Sequence, residues 1–269
     1  MKVIISHDVD HLYWSDHLKD LIFPKLWVRE TLAVLKRSIP VKDYFYRMGR
    51  TFQHQQHNLD SVMALDKQYG VPSTFFFGMA NGLGMSYSKR KASSAIKRLI
   101  DSGFDVGVHG IAYQDIDSMK KEYEEFFAIS NLDTFGIRMH YVRFDETTFE
   151  KLAKVGYIFD TSEFDKENRY LIKSPYKVNN TMWEFPLTIM DGYLPYKFDD
   201  AQDKTKMIIT EAIRLNQKYI SILFHDYLYS KGYAESKRWY EWVLKYCKQN
   251  SLGFISYRDA IDELEQANE

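Results

Sequence analysis

The stretch VIISHDVDH, residues 3–11, runs from β-favouring apolar residues directly into two carboxylates and two imidazoles. A short apolar run that ends in polar residues is typical of a buried parallel strand, and chemistry in α/β sheets gathers where such strands end. Residues two apart in an extended chain point to the same side, so Asp8 and Asp10 are predicted to face one cavity. One would bind a cation and the other would accept a proton. The alternative is an Asp that caps the following helix.

The composition is that of a globular protein with balanced charge. The chain has 269 residues, 45% hydrophobic and 16% aromatic, and its 36 Lys and Arg residues are matched by 37 Asp and Glu. This balance excludes a global positive field, so no nucleic-acid partner is expected. No secretory signal and no membrane-spanning apolar run is recognised, which predicts a cytoplasmic protein. The single Cys247 is predicted to be a buried core thiol, since no second cysteine exists for an intramolecular disulfide.

Beyond residue 58, predicted strands and helices alternate. Strands are predicted at 73–78, 104–109, 135–138, 157–161, 182–189, 219–225 and 252–256, with helices at 59–69, 89–102, 117–130, 147–155, 203–217, 232–248 and from 257. Such alternation predicts βαβ units with a mainly parallel sheet, and seven or eight units favour a barrel. We therefore predict an α/β fold, a distorted (β/α) barrel of seven or eight units in a single domain over residues 1–269.

A helical insertion is predicted after the first strand, at about residues 12–57. The segment is rich in aromatic residues, Lys and Arg, and its apolar stripe predicts one or two helices, interrupted by Pro24 and closed before Pro40. The stripe is predicted to pack in the core. A lid over the cavity, a dimer face or a membrane-facing surface are the alternatives.

Five predicted strands carry an ionisable group at the same end. Asp8 and Asp10 follow the first strand, and the other strand ends carry His109, Arg138 with His140, Asp160 and His225. Because the carboxyl ends of barrel strands converge on one face, these groups are expected to share a cleft. Imidazole and carboxylate are ligands of hydrolytic divalent metals. With a second carboxylate as base and a His as acid, the pattern predicts hydrolysis of an amide or ester.

Six stretches follow one another in an order that resembles a known family: HDVD (7–10), FDVGVHGIAY (104–113), GIRMHYVRFD (136–145), LAKVGYIFDTS (152–162), MWEFPLTIMDG (182–192) and ISILFHDYLYS (220–230). The order is similar to the polysaccharide deacetylase family, the NodB-homology domain of carbohydrate esterase family four. The resemblance extends from residue 3 to about 257, apart from the insertion, and is greatest to the branch found among bacterial surface-polysaccharide and O-antigen synthesis proteins. It implies a barrel of NodB-homology type and a metal-dependent hydrolase, with zinc as the expected metal.

The resemblance also implies roles for individual residues. Asp8 corresponds to the general base and Asp10 to a metal ligand in the first motif. His109 corresponds to the first metal ligand of the second motif, Arg138 to the residue that orients the base, and His225 to the general acid.

One position departs from the family pattern. The second motif's second His is replaced by Tyr113, and a phenol with a pKa of about 10 is a poor zinc ligand at neutral pH. We predict that His140 is the replacement ligand, because its strand end should face the same cleft. The alternatives are ligation by His11, by His7 or by a Tyr113 phenolate, or a site without metal.

The predicted substrate is an acetylated sugar or saccharide, deacetylated at nitrogen or oxygen during polysaccharide or O-antigen synthesis. Tyr113, Tyr141 and Asp160 are predicted to bind it, although Asp160 equally suits a turn cap. The insertion is expected to make peripheral contact with a membrane-linked sugar carrier. Two other functions stay open, a non-sugar amide hydrolase on the same fold and a catalytically weak or inactive carbohydrate-binding homologue.

Overall fold

The computed structural model describes residues 1–18 and 20–267. Its strands are β1 (Lys2–Val9), β2 (Thr74–Phe77), β3 (Asp105–Gly110), β4 (Ile137–Met139), β5 (Phe159–Asp160), β6 (Tyr176–Val178), β7 (Met182–Glu184), β8 (Ile189–Met190), β9 (Tyr219–Leu223) and β10 (Gly253–Phe254). They form one sheet in the order β6-β7-β5-β4-β3-β2-β1-β9-β8, with β10 paired to the start of β1. Every pairing is parallel except that of β6 with β7.

The sheet curls because β7 and β8 belong to one continuous segment. β7 pairs with β5, whereas β8 pairs with β9 at the other end of the strand order. Between them, the amide of Phe185 donates to Asp160 O at 2.9 Å and that of Thr188 donates to Ser221 O at 2.9 Å. The two ends of the sheet are thereby brought together as a distorted barrel. The predicted α/β fold of this type is confirmed.

The helices that surround the sheet lie near their predicted positions. They are α1 (Ile22–Leu35), α2 (Val41–Arg50), α3 (Leu59–Tyr69), α4 (Lys89–Asp101), α5 (Ile116–Ser130), α6 (Thr148–Val155), α7 (Phe198–Arg214), α8 (Ala234–Gln249) and α9 (Tyr257–Gln266). Several end at the residues expected from the sequence, since Gly70 and Gly156 adopt the left-handed conformation that terminates α3 and α6. α7 begins five residues earlier than predicted, and β6 was not predicted. None of the described helices is both long and apolar enough to cross a bilayer.

The two faces of β1 carry different cores. Val3, Ile5 and Val9 belong to a cluster that includes residues of α3, α4 and α8. Ile4 instead packs inside the barrel with aromatic residues such as Phe76, Phe159 and Tyr257. Because side chains alternate along a strand, Ser6 and Asp8 follow Ile4 up the interior. The barrel is therefore apolar at its base and polar where the strands end. Cys247 is buried and free in the outer cluster, as predicted.

The insertion differs from its prediction in two respects. Pro24 is the third residue of α1, in the first turn where a missing amide costs no hydrogen bond, so it does not interrupt the helix. The predicted apolar stripe does not pack in the core, because Leu21, Val28, Leu32 and Leu35 are exposed. The buried residues of α1 are Phe23 and Glu30.

Candidate active site

A cavity of about 520 Å³ opens where the barrel strands end. This volume is within the range of small-molecule sites. Its lining combines polar residues from the strand ends with residues from the insertion. The strand-end residues are Asp8, Asp10, His109, His140 and His225. Side chains spread over more than two hundred positions thus meet in one place, as the parallel topology predicts.

The loop after β4 places His140 beside His109. Tyr141 and Val142, which follow His140, have φ values of +59° and +43°, a region that residues with a Cβ rarely occupy. The sharp turn brings His140 Nδ1 to 2.9 Å from His109 Nε2. Asp10 Oδ1 lies 3.4 Å from His109 Nε2 and 3.5 Å from His140 Nδ1. One carboxylate oxygen and two imidazole nitrogens therefore surround a common point.

These three residues fit a divalent cation. His109 Nδ1 faces Arg138 O at 3.0 Å, and His140 Nε2 faces Leu83 O at 3.3 Å. Each carbonyl accepts a hydrogen bond, so the inward nitrogen carries a lone pair when the ring is neutral. Burial alone would lower the pKa of His109, but Asp8 and Asp10 raise it. Burial lowers the pKa of His140 to about 4, although the neighbouring Asp10 acts to raise it. The low pKa favours the neutral ring. Among the described residues, Asp10 Oδ1 is buried without a hydrogen-bond partner. The cluster can therefore hold a metal. Its one carboxylate and two imidazoles suit ions that accept both nitrogen and oxygen ligands.

Arg138 orients Asp8 from inside the barrel. Its guanidinium is fully buried and donates from Nη1 to Asp8 Oδ1 at 3.1 Å. The rest of the group donates to Ser6 Oγ at 2.8 Å, to Thr161 O at 3.1 Å and to Tyr257 Oη at 3.1 Å. Asp8 Oδ2 is left facing the metal cluster, 3.6 Å from His109 Nε2. Asp8 is thus held as an acceptor beside the cluster.

His225 approaches the same carboxylates from β9. Its Nε2 lies 4.0 Å from Asp8 Oδ2 and 3.9 Å from Asp10 Oδ2. Its Nδ1 donates to Asp191 Oδ1 at 2.8 Å, and its backbone amide donates to Asp191 Oδ2 at 2.5 Å. Burial alone would lower the pKa of His225, but Asp191, assisted by Asp10 and Asp8, raises it to about 10. The ring is therefore a cation at neutral pH, with one N–H directed into the cavity.

Asp191 is a site residue that the sequence reasoning missed. It is the last but one residue of the stretch MWEFPLTIMDG and lies directly after β8. The signal was the same as for the other site residues, an acidic residue at the end of a predicted strand.

The three predicted substrate-binding residues lie in different places. Tyr141 lines the cavity, and its hydroxyl donates to Leu83 O at 3.0 Å. Tyr113 lines a neighbouring pocket of about 350 Å³, with the Arg143 guanidinium 4.8 Å from its ring centre. Tyr113 does not line the cavity that contains the metal cluster, which argues against ligation by its phenolate, and the binding of substrate by Tyr113 stays a prediction. The loop after β3 explains this position. Its amides at Ile111 and Ala112 donate to the Glu122 carboxylate of α5, and the chain then turns away from the cavity before Tyr113.

Asp160 is fully buried and does not line the cavity. Its carboxylate accepts from the Ser162 hydroxyl at 2.6 Å and from the Ser162 amide at 3.1 Å. The predicted contact with substrate is therefore wrong, and the alternative of a turn cap is what the structure has.

The other two histidines that were considered as ligands, His7 and His11, form hydrogen bonds with protein groups outside the metal cluster. His7 points to the outer face of β1, where its ring nitrogens lie 2.8 Å from Phe224 O and 3.0 Å from Asp66 Oδ2. His11 lines the cavity, but its Nδ1 lies 3.1 Å from His17 Nε2, and His17 Nδ1 lies 2.7 Å from Asp20 Oδ2. Of the predicted ligand candidates, His140 is the one that meets Asp10 and His109.

No family model matches the sequence, and no curated protein is significantly similar to it. Among solved structures, the chain is similar to a Mycobacterium smegmatis protein named as a polysaccharide deacetylase, with 14% identity, coverage of 99% of this chain and 91% of that chain, and a TM-score of 0.66. A Bacillus cereus polysaccharide deacetylase is 15% identical, with coverage of 95% and 91% and a TM-score of 0.47. A GH57-type branching enzyme from Pyrococcus horikoshii is 12% identical, with coverage of 98% and 70% and a TM-score of 0.51.

The similarity to the mycobacterial protein covers nearly the whole of both chains, so it applies to the barrel as well as to its surroundings. Because a branching enzyme shares the architecture, the fold does not by itself decide the reaction. The resemblance found in the sequence motifs and the structural similarity agree, and the chain has the fold of the polysaccharide deacetylases.

Proposed function

We propose that the protein is a metal-dependent hydrolase that removes an acetyl group from an N- or O-acetylated saccharide. The observation that carries this proposal is the convergence of three groups in one cavity. They are the Asp10, His109 and His140 cluster, the Arg138-bound Asp8 and the Asp191-bound His225. A cation site, an acceptor and a protonated donor within 4.0 Å of one another are what acyl hydrolysis requires.

Asp10, His109 and His140 would hold the metal, and zinc suits one carboxylate and two imidazoles with open positions for water and substrate. When bound, such an ion supplies Lewis acidity toward the acyl oxygen and lowers the pKa of water. The outward hydrogen bonds of the two rings fix the tautomers that ligation needs.

Asp8 would act as the general base. Arg138 occupies Asp8 Oδ1, so Oδ2 is the oxygen available to accept a proton from the attacking water. Because Arg138 is itself held by Ser6, Thr161 and Tyr257, the orientation of the base does not depend on substrate.

His225 would act as the general acid. Its raised pKa keeps Nε2 protonated at neutral pH, and Asp191 stabilises the imidazolium through Nδ1. The Nε2 proton would pass to the amine or alkoxide that leaves the acetyl group.

The roof of the cavity favours a saccharide that carries an anionic group such as phosphate. Five cationic residues line the cavity besides the histidines: Lys25, Arg29, Arg47, Arg50 and Lys166. Glu30 pairs with Arg29 and Arg47, whereas the other three have no carboxylate within 4.0 Å among the described residues. A phosphorylated saccharide would balance this charge, which supports an intermediate of polysaccharide synthesis as the substrate.

A non-sugar amide hydrolase is the second candidate. The insertion covers part of the cavity and limits it to a volume that suits a small molecule. Such a shape favours a monosaccharide derivative or a compact amide over a long polymer.

The test combines metal analysis with turnover. After zinc loading, the wild type should retain a stoichiometric ion and release acetate from acetylated sugar phosphates. His109→Ala should lose the ion, whereas Asp8→Asn should retain it and lose about 10²–10⁴-fold in rate. His54→Ala, at an exposed position outside the cavity, is the matched control.

A wild-type protein that binds no ion after loading would refute the proposed mechanism. Metal binding with release from amides but not from acetylated sugars would favour the second candidate.

A further inference from the structure

The second helix of the insertion has the reverse of the usual polarity. The buried residues of α2 are Asp43 and Arg47, whereas Val41 is 57% exposed and Phe45 is 67% exposed. An amphipathic helix at the surface of a globular protein normally buries its apolar side. The apolar side of α2 instead faces outward.

Polar contacts hold this helix on the barrel. Arg47 donates from Nη1 to Glu30 Oε2 of α1 at 2.6 Å and from Nε to Gly232 O at 2.7 Å. The Tyr196 hydroxyl donates to the Asp43 carboxylate. The insertion is therefore anchored through its charged residues, and its apolar residues are free to face outward.

The first helix continues the same surface. Leu21, Val28, Leu32 and Leu35 lie on one side at helical spacing and are 62%, 61%, 47% and 73% exposed. Trp27 stacks on Phe52, their ring centres 6.0 Å apart, and its indole N–H is satisfied by Thr51 Oγ1 at 3.0 Å. Residues 14–52 contain eleven of the nineteen exposed large hydrophobic residues found in the described chain. We call this surface of α1, α2 and Phe52 the outer face of the insertion.

The charges exposed on the outer face have one sign. All four acidic residues of the insertion are engaged within the protein, Asp16 with Lys91, Asp20 with His17, Glu30 with Arg47 and Asp43 with Tyr196. The exposed charged residues on α1, on α2 and between them are Lys25, Arg29, Lys36, Arg37 and Lys42. A chain with a net charge of −1 therefore presents a local surface that is apolar, aromatic and positive.

We propose that the outer face of the insertion docks on an anionic lipid surface. Apolar and aromatic side chains interspersed with Lys and Arg are the composition of interfacial membrane-binding helices. A second copy of the chain fits less well, because two outer faces brought together would oppose like charges. Exposed apolar residues that are grouped on one surface, rather than scattered singly, are also typical of an interaction site.

The position of the outer face relates it to the cavity. α1 lines the cavity through Ile22 and Leu26, its exposed Lys25 and Arg29 border both the cavity and the outer face, and Val28, Leu32 and Leu35 belong to the outer face alone. Leu83 and Tyr141, which also line the cavity, are likewise exposed. Docking would bring the cavity close to the lipid head groups. The corollary that the substrate is a saccharide carried on a lipid phosphate rests on the proposed hydrolase function.

Vesicle cosedimentation tests the docking without any turnover. The full chain should sediment with vesicles of equal parts phosphatidylcholine and phosphatidylglycerol and remain in solution with pure phosphatidylcholine. Leu35→Gln with Phe45→Gln should weaken binding by about tenfold or more, because two exposed apolar side chains are removed from the contact. Lys36→Gln with Arg37→Gln should weaken it by about fivefold per charge.

Ile213→Gln with Leu215→Gln is the control, since these apolar residues at the end of α7 are also exposed, at 50% and 44%, but lie outside the insertion. It should bind as the wild type does. Failure of the wild type to bind anionic vesicles, or equal binding by all variants, would overturn the proposal. A dimer in sedimentation velocity that Leu35→Gln with Phe45→Gln dissociates would assign the face to a second copy instead. Because deacetylation is not measured, none of these outcomes depends on the proposed activity.

Discussion

Asp191 sets the charge of His225 in the candidate active site. Both of its carboxylate oxygens contact His225, one at the ring and one at the backbone amide. The carboxylate acts on the imidazole as it does in a catalytic Asp–His pair, because it fixes the orientation of the ring and stabilises the imidazolium. The protonation of His225 therefore depends on Asp191, which is 34 positions away in the chain.

Replacement of Asp191 by Asn should lower the pKa of His225 from about 10 toward its ordinary 6.5. Because the raised pKa keeps the ring protonated, the metal-free wild type should keep the His225 ring charged until the pH approaches 10. Activity in the variant should decline at a lower pH. The same ion pair stabilises the fold below the ordinary pKa, and this stabilisation is lost as the pH rises through about 10. Titration of the His225 ring by NMR, together with a pH–rate profile, measures the shift.

The matched control is Asp226→Asn, since Asp226 follows His225 but contacts Asn58. An unchanged His225 pKa in Asp191→Asn would contradict the assigned role. A loss of rate without any shift in the pH profile would show that Asp191 acts by structure alone.

At the scale of elements, the site depends on how closely β4 and β5 approach inside the barrel. Gly136, directly before β4, has no side chain, and a Cβ there would lie 2.3 Å from the Phe159 ring. Phe159 in turn stacks on Tyr257, whose hydroxyl contacts the Arg138 guanidinium. A chain of contacts thus runs from Gly136 through Phe159 and Tyr257 to Arg138, which orients Asp8.

Gly136→Ala should destabilise the protein by about 1–3 kcal/mol, because the ring has to move in a closely packed core. Urea unfolding monitored by circular dichroism measures the change. Gly49→Ala is the control, because Gly49 lies in α2 and a Cβ there meets nothing within 4 Å. The control should be neutral or stabilising, by up to about 1 kcal/mol. Equal stability of Gly136→Ala and the wild type would show that the barrel interior accommodates the methyl group.

At the scale of the whole molecule, the barrel and the insertion contribute different chemistry to one cavity. The barrel supplies the reacting groups, and the insertion supplies Lys25, Arg29, Arg47 and Arg50 to the roof. Lys166, from the loop after β5, adds a further cation. The reaction and the choice of substrate are therefore located in separate parts of the chain.

Replacing both Lys25 and Lys166 by Gln should raise KM several-fold for a phosphorylated acetyl sugar and leave kcat nearly unchanged. Both side chains are exposed and lack a carboxylate partner in the described chain, so the substitutions should not disturb folding. Steady-state acetate release, with the neutral acetyl sugar as the reference substrate, measures the effect. A similar increase in KM for the neutral substrate would argue against an anionic group on the natural one.

The order of strands and helices could be predicted because it depends on local patterns. Apolar runs, left-handed glycines and polar strand ends are encoded over a few residues, and parallel strands bring their ends together whatever lies between them. For this reason Asp8, Asp10, His109, Arg138, His140 and His225 could be placed in one cleft from the sequence. The structure brings all six together.

Other features depend on contacts between distant segments, which no local pattern contains. The sequence by itself determined the α/β barrel type and which strand ends carry ionisable groups, because side-chain alternation and helix periodicity are properties of the local chain. Only the tertiary structure decided that Glu122 draws Tyr113 away from the cavity, that Asp160 caps a turn and that Asp191 reaches His225. It also decided which side of α1 and α2 faces solvent, because the buried Arg47–Glu30 ion pair and the hydrogen bonds of Arg47 to Gly232 and of Tyr196 to Asp43 orient these helices.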